Sequence, residues 1–210
     1  MKNTELQPGA DYDRAVATLT SAAWDNDLLD VAYGFVDSPF GRLLVAMTKR
    51  GLVRVEYPNG GIDEQLEGLA AEVSPRLLES PRHTQEVRRE LDEYFEGKRQ
   101  SFSVPVDLSF LRGFGRRVLE RTAGIPFGML ATYREVATRA GSPRASRAAG
   151  NALAANPVPI VVPCHRVVHS GGGLGGYTGG LDRKVTLLRL EGVDVPPYRP
   201  PRPKRAPRPR

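Results

Sequence analysis

The run Asn156-Pro-Val-Pro-Ile-Val-Val-Pro-Cys-His-Arg-Val-Val168 carries the only cysteine of the 210-residue chain, Cys164, followed directly by His165 and Arg166. One thiol can neither close an internal disulfide nor build a multi-cysteine metal centre. It is then either a small buried apolar side chain or a thiol made reactive by its neighbours. Adjacent side chains diverge in helix and strand alike, so direct contact between His165 and the thiol is awkward, and a bridging water would solve this. Read alone, the segment leaves both possibilities open.

Downstream, Gly173-Leu-Gly-Gly-Tyr-Thr-Gly-Gly180 reads as a glycine loop. Asp182 is the expected N-cap of a last helix that ends at Gly192, with Val185, Leu187 and Leu188 facing inward. Upstream, one helix stops near Gly124, a second covers Tyr133 to Ala140, and a third covers Arg144 to Ala155. A short helix, a tight glycine turn and a helix of small residues make a helix-turn-helix. In the first half, Leu43–Met47 and Leu52–Val55 flank Lys49-Arg50-Gly51 as a hairpin. Ile62, Leu66, Leu69, Ala70 and Val73 share one helical face, and Val87, Leu91, Tyr94 and Phe95 share another before Gly97. Phe102, Val104, Val106 and Leu108 alternate as in a half-buried strand. The expected fold class is α+β: a small mixed α/β N-terminal domain, then a mainly helical, winged-helix-like C-terminal domain containing the helix-turn-helix. The expected division is a poorly ordered extension over 1–30, domains over 31–108 and 109–195, and a disordered basic Pro/Arg tail over 196–210.

The net charge of +6 is unevenly spread. Residues 1–108 hold 12 Lys and Arg against 19 Asp and Glu, whereas residues 109–195 hold 12 against 5. Such a division points to a polyanion met by the second half, although chance patterning of a solvated surface gives the same count. No apolar run approaches the length of a membrane span, and the polar start does not read as a signal peptide. No membrane partner is expected, and a reducing cytoplasm is the expected compartment.

Taken in order, Ile125-Pro-Phe-Gly128, Thr132-Tyr133, Arg147-Ala-Ala-Gly150, the Asn156–Val168 run, Gly173–Gly180, Lys184, Leu187-Leu188 and Glu191 resemble the O6-alkylguanine-DNA alkyltransferases, the methylated-DNA–protein-cysteine methyltransferase family. The resemblance spans Gly34 to Gly192, and its specific motifs lie in the second half. It implies a ribonuclease H-like domain over 31–108 and a DNA-binding, alkyl-accepting domain over 109–195. The implied activity is direct damage reversal: irreversible, stoichiometric transfer of an alkyl group from O6 of guanine, or O4 of thymine, in duplex DNA. Transfer follows rotation of the base out of the stack. The resemblance implies no cofactor and no metal, and a monomer whose partner is double-stranded DNA carrying O6-alkylguanine. By the same resemblance Cys164 is the nucleophile and acceptor, His165 its base through water, and Glu191 the group that orients His165. Tyr133 would hydrogen-bond or protonate the leaving base, and Asn156 would support the active-site turn. Arg147 would fill the vacated place in the duplex. Tyr177 and Thr178 would line the guanine pocket, with the Thr178 amide donating to O6. The carbonyls of Cys164 and Val167 would accept from the exocyclic amine, and Arg166 would lie on the substrate side.

Phe114-Gly-Arg-Arg-Val-Leu119 departs from the family pattern, which often has a glutamine and later a tryptophan there. Gly171–Gly176 formally fits a dinucleotide loop but lacks the flanking strand and helix, so that reading is rejected. His83 and His169 are expected at the surface. Three other functions are weighed against repair. A recognition protein would lack the acceptor cysteine, a cysteine hydrolase would need an oxyanion hole, and a transcription factor would leave Pro-Cys-His-Arg unexplained.

Overall fold

Alternating and β-branched apolar residues build the first sheet. Val31–Val36 (β1) and Leu43–Thr48 (β2) pair antiparallel, with Gly34 opposite Val45, and Gly51–Glu56 (β3) extends the pairing on the far side of β2. The computed structural model describes residues 8–195, so the expected tail over 196–210 lies outside the described residues. The first of these form a helix, Pro8–Asp25 (α1), where a poorly ordered extension was expected. Ala15, Ala17, Ala22 and Ala23 favour the helix, and docking holds it: Thr20 and Ser21 are buried, and Trp24 stacks on His83 at 4.7 Å. His83 is thereby half-buried rather than a plain surface residue.

Ile62–Glu72 (α2), Leu77–Glu79 (β4) and Gln85–Phe95 (α3) complete the first half. Strand β4 joins β1 in parallel, giving the sheet order β3-β2-β1-β4. The two faces of the sheet bury different sets of side chains, as period-two alternation requires. Leu44, Ala46 and Val53 pack with Leu69 of α2, whereas Val45, Leu52 and Val55 join Val87, Leu91 and Tyr94 of α3. The expected strand over Phe102–Leu108 is a loop with a single bridge from Val106 to Leu52. Pro105 lacks an N–H, so its carbonyl and the Asp107 amide are all that pair with Leu52 there. Its apolar alternation still describes burial, because Val104 and Leu108 point inward.

The second half begins with Gly113–Ala123 (α4). Ala131–Thr132 (β5) leads into Tyr133–Arg139 (α5), and a turn through Gly141 leads to Ser146–Ala154 (α6). Helix α6 packs on both α4 and α5, which is the helix-turn-helix arrangement. Cys164–Arg166 forms one 3₁₀ turn and runs into Val167–Val168 (β6), which pairs in parallel with β5. Leu181–Leu190 (α7) closes the domain. Gly180, at φ 90°, is its N-cap, and Asp182 lies inside the first turn, where its charge meets the helix dipole rather than capping it. One apolar cluster runs from Val45 and Tyr94 in the first half to Val118, Val136, Ile160 and Leu187 in the second.

Candidate active site

The short β5–β6 pairing places two of the expected residues. Thr132 ends β5 and caps α5: its hydroxyl accepts from the Glu135 amide while Glu135 takes the Thr132 amide. Tyr133 is therefore fixed as the first residue of α5. Val167 of β6 lies opposite Ala131, so the 3₁₀ turn holding Cys164 is tied to the same point. The Tyr133 ring packs against Gly150 of α6 and lies 5.0 Å from the ring of His169, which is exposed as expected. Gly175, at φ 71°, passes so close that a Cβ there would lie 2.5 Å from the Tyr133 hydroxyl.

Asn156 shapes the turn before Cys164. Its Oδ1 accepts from the Val158 amide at 3.0 Å, and its Nδ2 donates to Val162 O at 2.8 Å and to Cys164 Sγ at 3.2 Å. Inside this turn Ile160 sits at φ 75°, a conformation that β-branched residues rarely adopt, with its side chain fully buried. The asparagine thus holds a strained backbone and touches the sulfur directly. Cys164 is only 5 % exposed. Burial pushes its thiol above the ordinary range, opposed by the Asn156 contact and the charge of Lys184.

Glu191 is the most heavily bonded carboxylate of the site. Its Oε1 accepts from His165 Nε2 at 2.8 Å, Tyr94 Oη at 2.7 Å and Arg166 Nη2 at 2.9 Å. Its Oε2 accepts from Arg166 Nε at 2.8 Å and from the Gly128 amide at 3.2 Å. Burial would raise Glu191, but the bonds from His165 and Arg166 outweigh it and hold the carboxyl down to about 2. An ionised carboxylate can only accept, so His165 Nε2 carries the hydrogen and Nδ1 keeps its lone pair. Nδ1 is buried and meets no hydrogen-bond partner. Burial lowers the basicity of His165 overall, against the pull of Glu191.

Arg166 is not on the substrate side. It is 5 % exposed and turned inward, forked onto Glu191 and bonded to Ile125 O, so it holds the carboxylate that orients His165. The Val167 side chain is core, and its carbonyl already accepts from Lys184 Nζ at 2.6 Å, leaving one lone pair. Lys184 is a fully buried cation bonded to Val167 O and Leu174 O, and burial brings it down to about 8. Tyr133, Arg147, Asn151, Cys164, Tyr177 and Thr178 do come together, around a cleft of about 640 Å³. Arg147 is exposed on α6, and Arg134, Arg139 and Arg144 are exposed along the same helical hairpin. Sequence reasoning missed Tyr94 and Ile160, and gave Gly128 as a motif position without its bond to Glu191. Tyr94 lies on the apolar face of α3 and looked like core, and nothing local signals a partner 97 residues away.

A profile described as the ribonuclease-like domain of 6-O-methylguanine DNA methyltransferase matches residues 31–108, and one described as its DNA binding domain matches residues 113–193. The chain belongs to the 6-O-methylguanine DNA methyltransferase family. A methylated-DNA–protein-cysteine methyltransferase of Methanosarcina barkeri is 36% identical over 162 residues, 76% of this chain and 96% of that protein. One from Mycolicibacterium paratuberculosis is 39% identical, over 77% of this chain and 92% of that protein. The crystal structure of Mycobacterium tuberculosis OGT in complex with DNA superposes with a TM-score of 0.64 at 34% identity, covering 76% of this chain and 92% of that one. The two matched profiles fall on the sheet half and the helical half described above.

Proposed function

We infer that the chain is a methylated-DNA–protein-cysteine methyltransferase, which repairs DNA by taking an alkyl group from O6 of guanine onto Cys164. The observation that carries the residue assignment is the buried Glu191–His165 pair with its bare Nδ1, one residue along the chain from Cys164, which itself lines a cleft together with α5, α6 and the Gly173–Gly180 loop. A thiol raised by burial is not a standing thiolate, so its proton must leave as the reaction proceeds. It passes through one water to His165 Nδ1, while Glu191 stabilises the imidazolium that forms. The sulfur attacks the alkyl carbon: the S–C bond forms, the C–O6 bond breaks, and the electron pair remains on the purine. The Tyr133 hydroxyl, kept protonated by burial, hydrogen-bonds or protonates the purine as its charge grows.

A stacked base cannot present O6 to a buried sulfur, so the nucleotide rotates out at a cost of a few kcal/mol. Arg147, exposed at the cleft on α6, takes the vacated place. Tyr177 and Thr178 line the pocket, where the Thr178 amide donates to O6. The carbonyls of Cys164 and Val167 accept from the exocyclic amine. The exposed arginines of the helical hairpin neutralise phosphates. No described helix is long and apolar enough to cross a membrane, and a DNA substrate fits action in the cytoplasm or nucleoid. A thioether does not hydrolyse, so each molecule acts once. Cys164→Ala tests the reading: single-turnover transfer from an O6-methylguanine duplex is lost while binding to that duplex persists. Transfer by the alanine variant would refute it.

A further inference from the structure

Among the described residues, two of the clefts reach Cys164. The first is the substrate cleft; the second, of about 540 Å³, lies between β3, α2 and the end of α6 and is lined by Tyr57, Gln65, Asn156, Pro157, Cys164 and Thr178. Tyr57 belongs to the second cleft and Tyr177 to the first, and their hydroxyls meet at 2.7 Å across 120 residues of chain. The bonded pair stands between the two spaces.

Several contacts hold Tyr57 in place. It is 6 % exposed, with the Arg183 guanidinium 4.4 Å from its ring centroid and the Phe40 ring 5.7 Å away. Arg183 is itself fixed by Asn59 at 2.7 Å, and Gln65 donates to the Tyr57 carbonyl at 2.8 Å. The loop passes Tyr57 so closely that a Cβ at Gly179 would lie 2.8 Å from the rings of both Tyr57 and Tyr177. A packed phenol from the sheet half is thus bonded to Tyr177, the one aromatic of the Gly173–Gly180 loop and a residue of the first cleft.

We propose that the Tyr57–Tyr177 pair is the specificity-determining wall of the acceptor pocket, confining the space beside Cys164 to small alkyl groups. This rests on Cys164 being the acceptor. Burial raises both phenols, so each keeps its proton and either can donate to the other. With the bond intact, the Tyr177 ring is held and a bulky group meets it. Without either hydroxyl the tether is gone, and the ring at position 177 is no longer held against turning toward the second cleft. The two spaces then join, and a benzyl group gains room that a methyl group does not need.

The test is the single-turnover rate for O6-benzylguanine and O6-methylguanine in the same duplex, with adducts mapped by mass. It is run on the native protein, Tyr57→Phe, Tyr177→Phe and the double variant. In Tyr57→Phe the benzyl-to-methyl rate ratio rises about five-fold, the factor matching the net worth of one hydrogen bond. Tyr177→Phe gives the same rise, and the double variant adds nothing, because both single changes delete one bond. An unmoved ratio in Tyr57→Phe, with or without a lower Tm, overturns the proposal, as do independent shifts that add in the double variant. Native protein with no adduct on Cys164 from either substrate would refute the acceptor assignment itself. A Cys164 adduct with an unmoved ratio refutes only the wall.

Discussion

At the scale of single residues, the site joins a thiol raised by burial to an imidazole lowered by it. The pair therefore rests as neutral thiol and neutral base, and the acid side of the rate profile reports protonation of His165. That limb lies below 6.5, the ordinary histidine value, and transfer rates measured against pH should stay level through neutrality. Glu191 adds a stability effect of definite sign. Its folded-state value near 2 lies below the ordinary 4.5, so its stabilisation is complete above 4.5 and is lost as pH falls toward 2. Glu191→Gln removes that slope from denaturant titrations. It also leaves the Arg166 cation buried without a counter-charge, at a cost of about 3–5 kcal/mol. A variant as stable as the native protein at neutral pH would contradict the role given to the Arg166–Glu191 fork.

At the scale of elements, two local devices aim the chemistry: the capping box that starts α5 at Tyr133, and the two-residue pairing of β5 with β6. The first is present in the sequence as the spacing of Thr132 and Glu135, although only the helix from Tyr133 was read there; the second joins segments far apart in the chain and leaves no local signal. What lies beyond a few residues was not legible. Arg166 follows His165 directly, yet a turn of 3₁₀ helix sends it inward to Glu191, which no local pattern specifies. Helix α1 was missed because its helix-forming alanines give no clear apolar stripe, and Trp24 finds its partner only in the folded chain. The Phe102–Leu108 alternation marked burial correctly and hydrogen bonding wrongly, because Pro105 cannot donate. Arg147→Ala should slow repair of duplex DNA about ten-fold or more while leaving reaction with the free modified base nearly unchanged, since only the duplex requires a filled gap. Equal loss on both substrates would remove Arg147 from that role.

At the scale of the molecule, the two halves share one apolar cluster and are bonded through the site itself. Tyr94 reaches Glu191, Tyr57 reaches Tyr177, and the Val55 amide on β3 donates to Pro157 O at 2.9 Å. The sheet half is thus the back wall of the active site as well as a neighbour of it. Unfolding should then be a single transition. Fluorescence of Trp24, which reports the first half, and far-UV circular dichroism, to which the helical second half contributes, should give the same midpoint in denaturant. Two separated midpoints would mean that the halves unfold independently. Whether Cys164 takes the alkyl group is read from the intact mass of the protein after incubation with a duplex carrying one O6-methylguanine, followed by peptide mapping. A gain of one methyl group is expected, saturating at one per molecule and confined to the peptide containing Cys164. A methyl group on another peptide, or tight lesion-selective binding with no gain in mass, would contradict it.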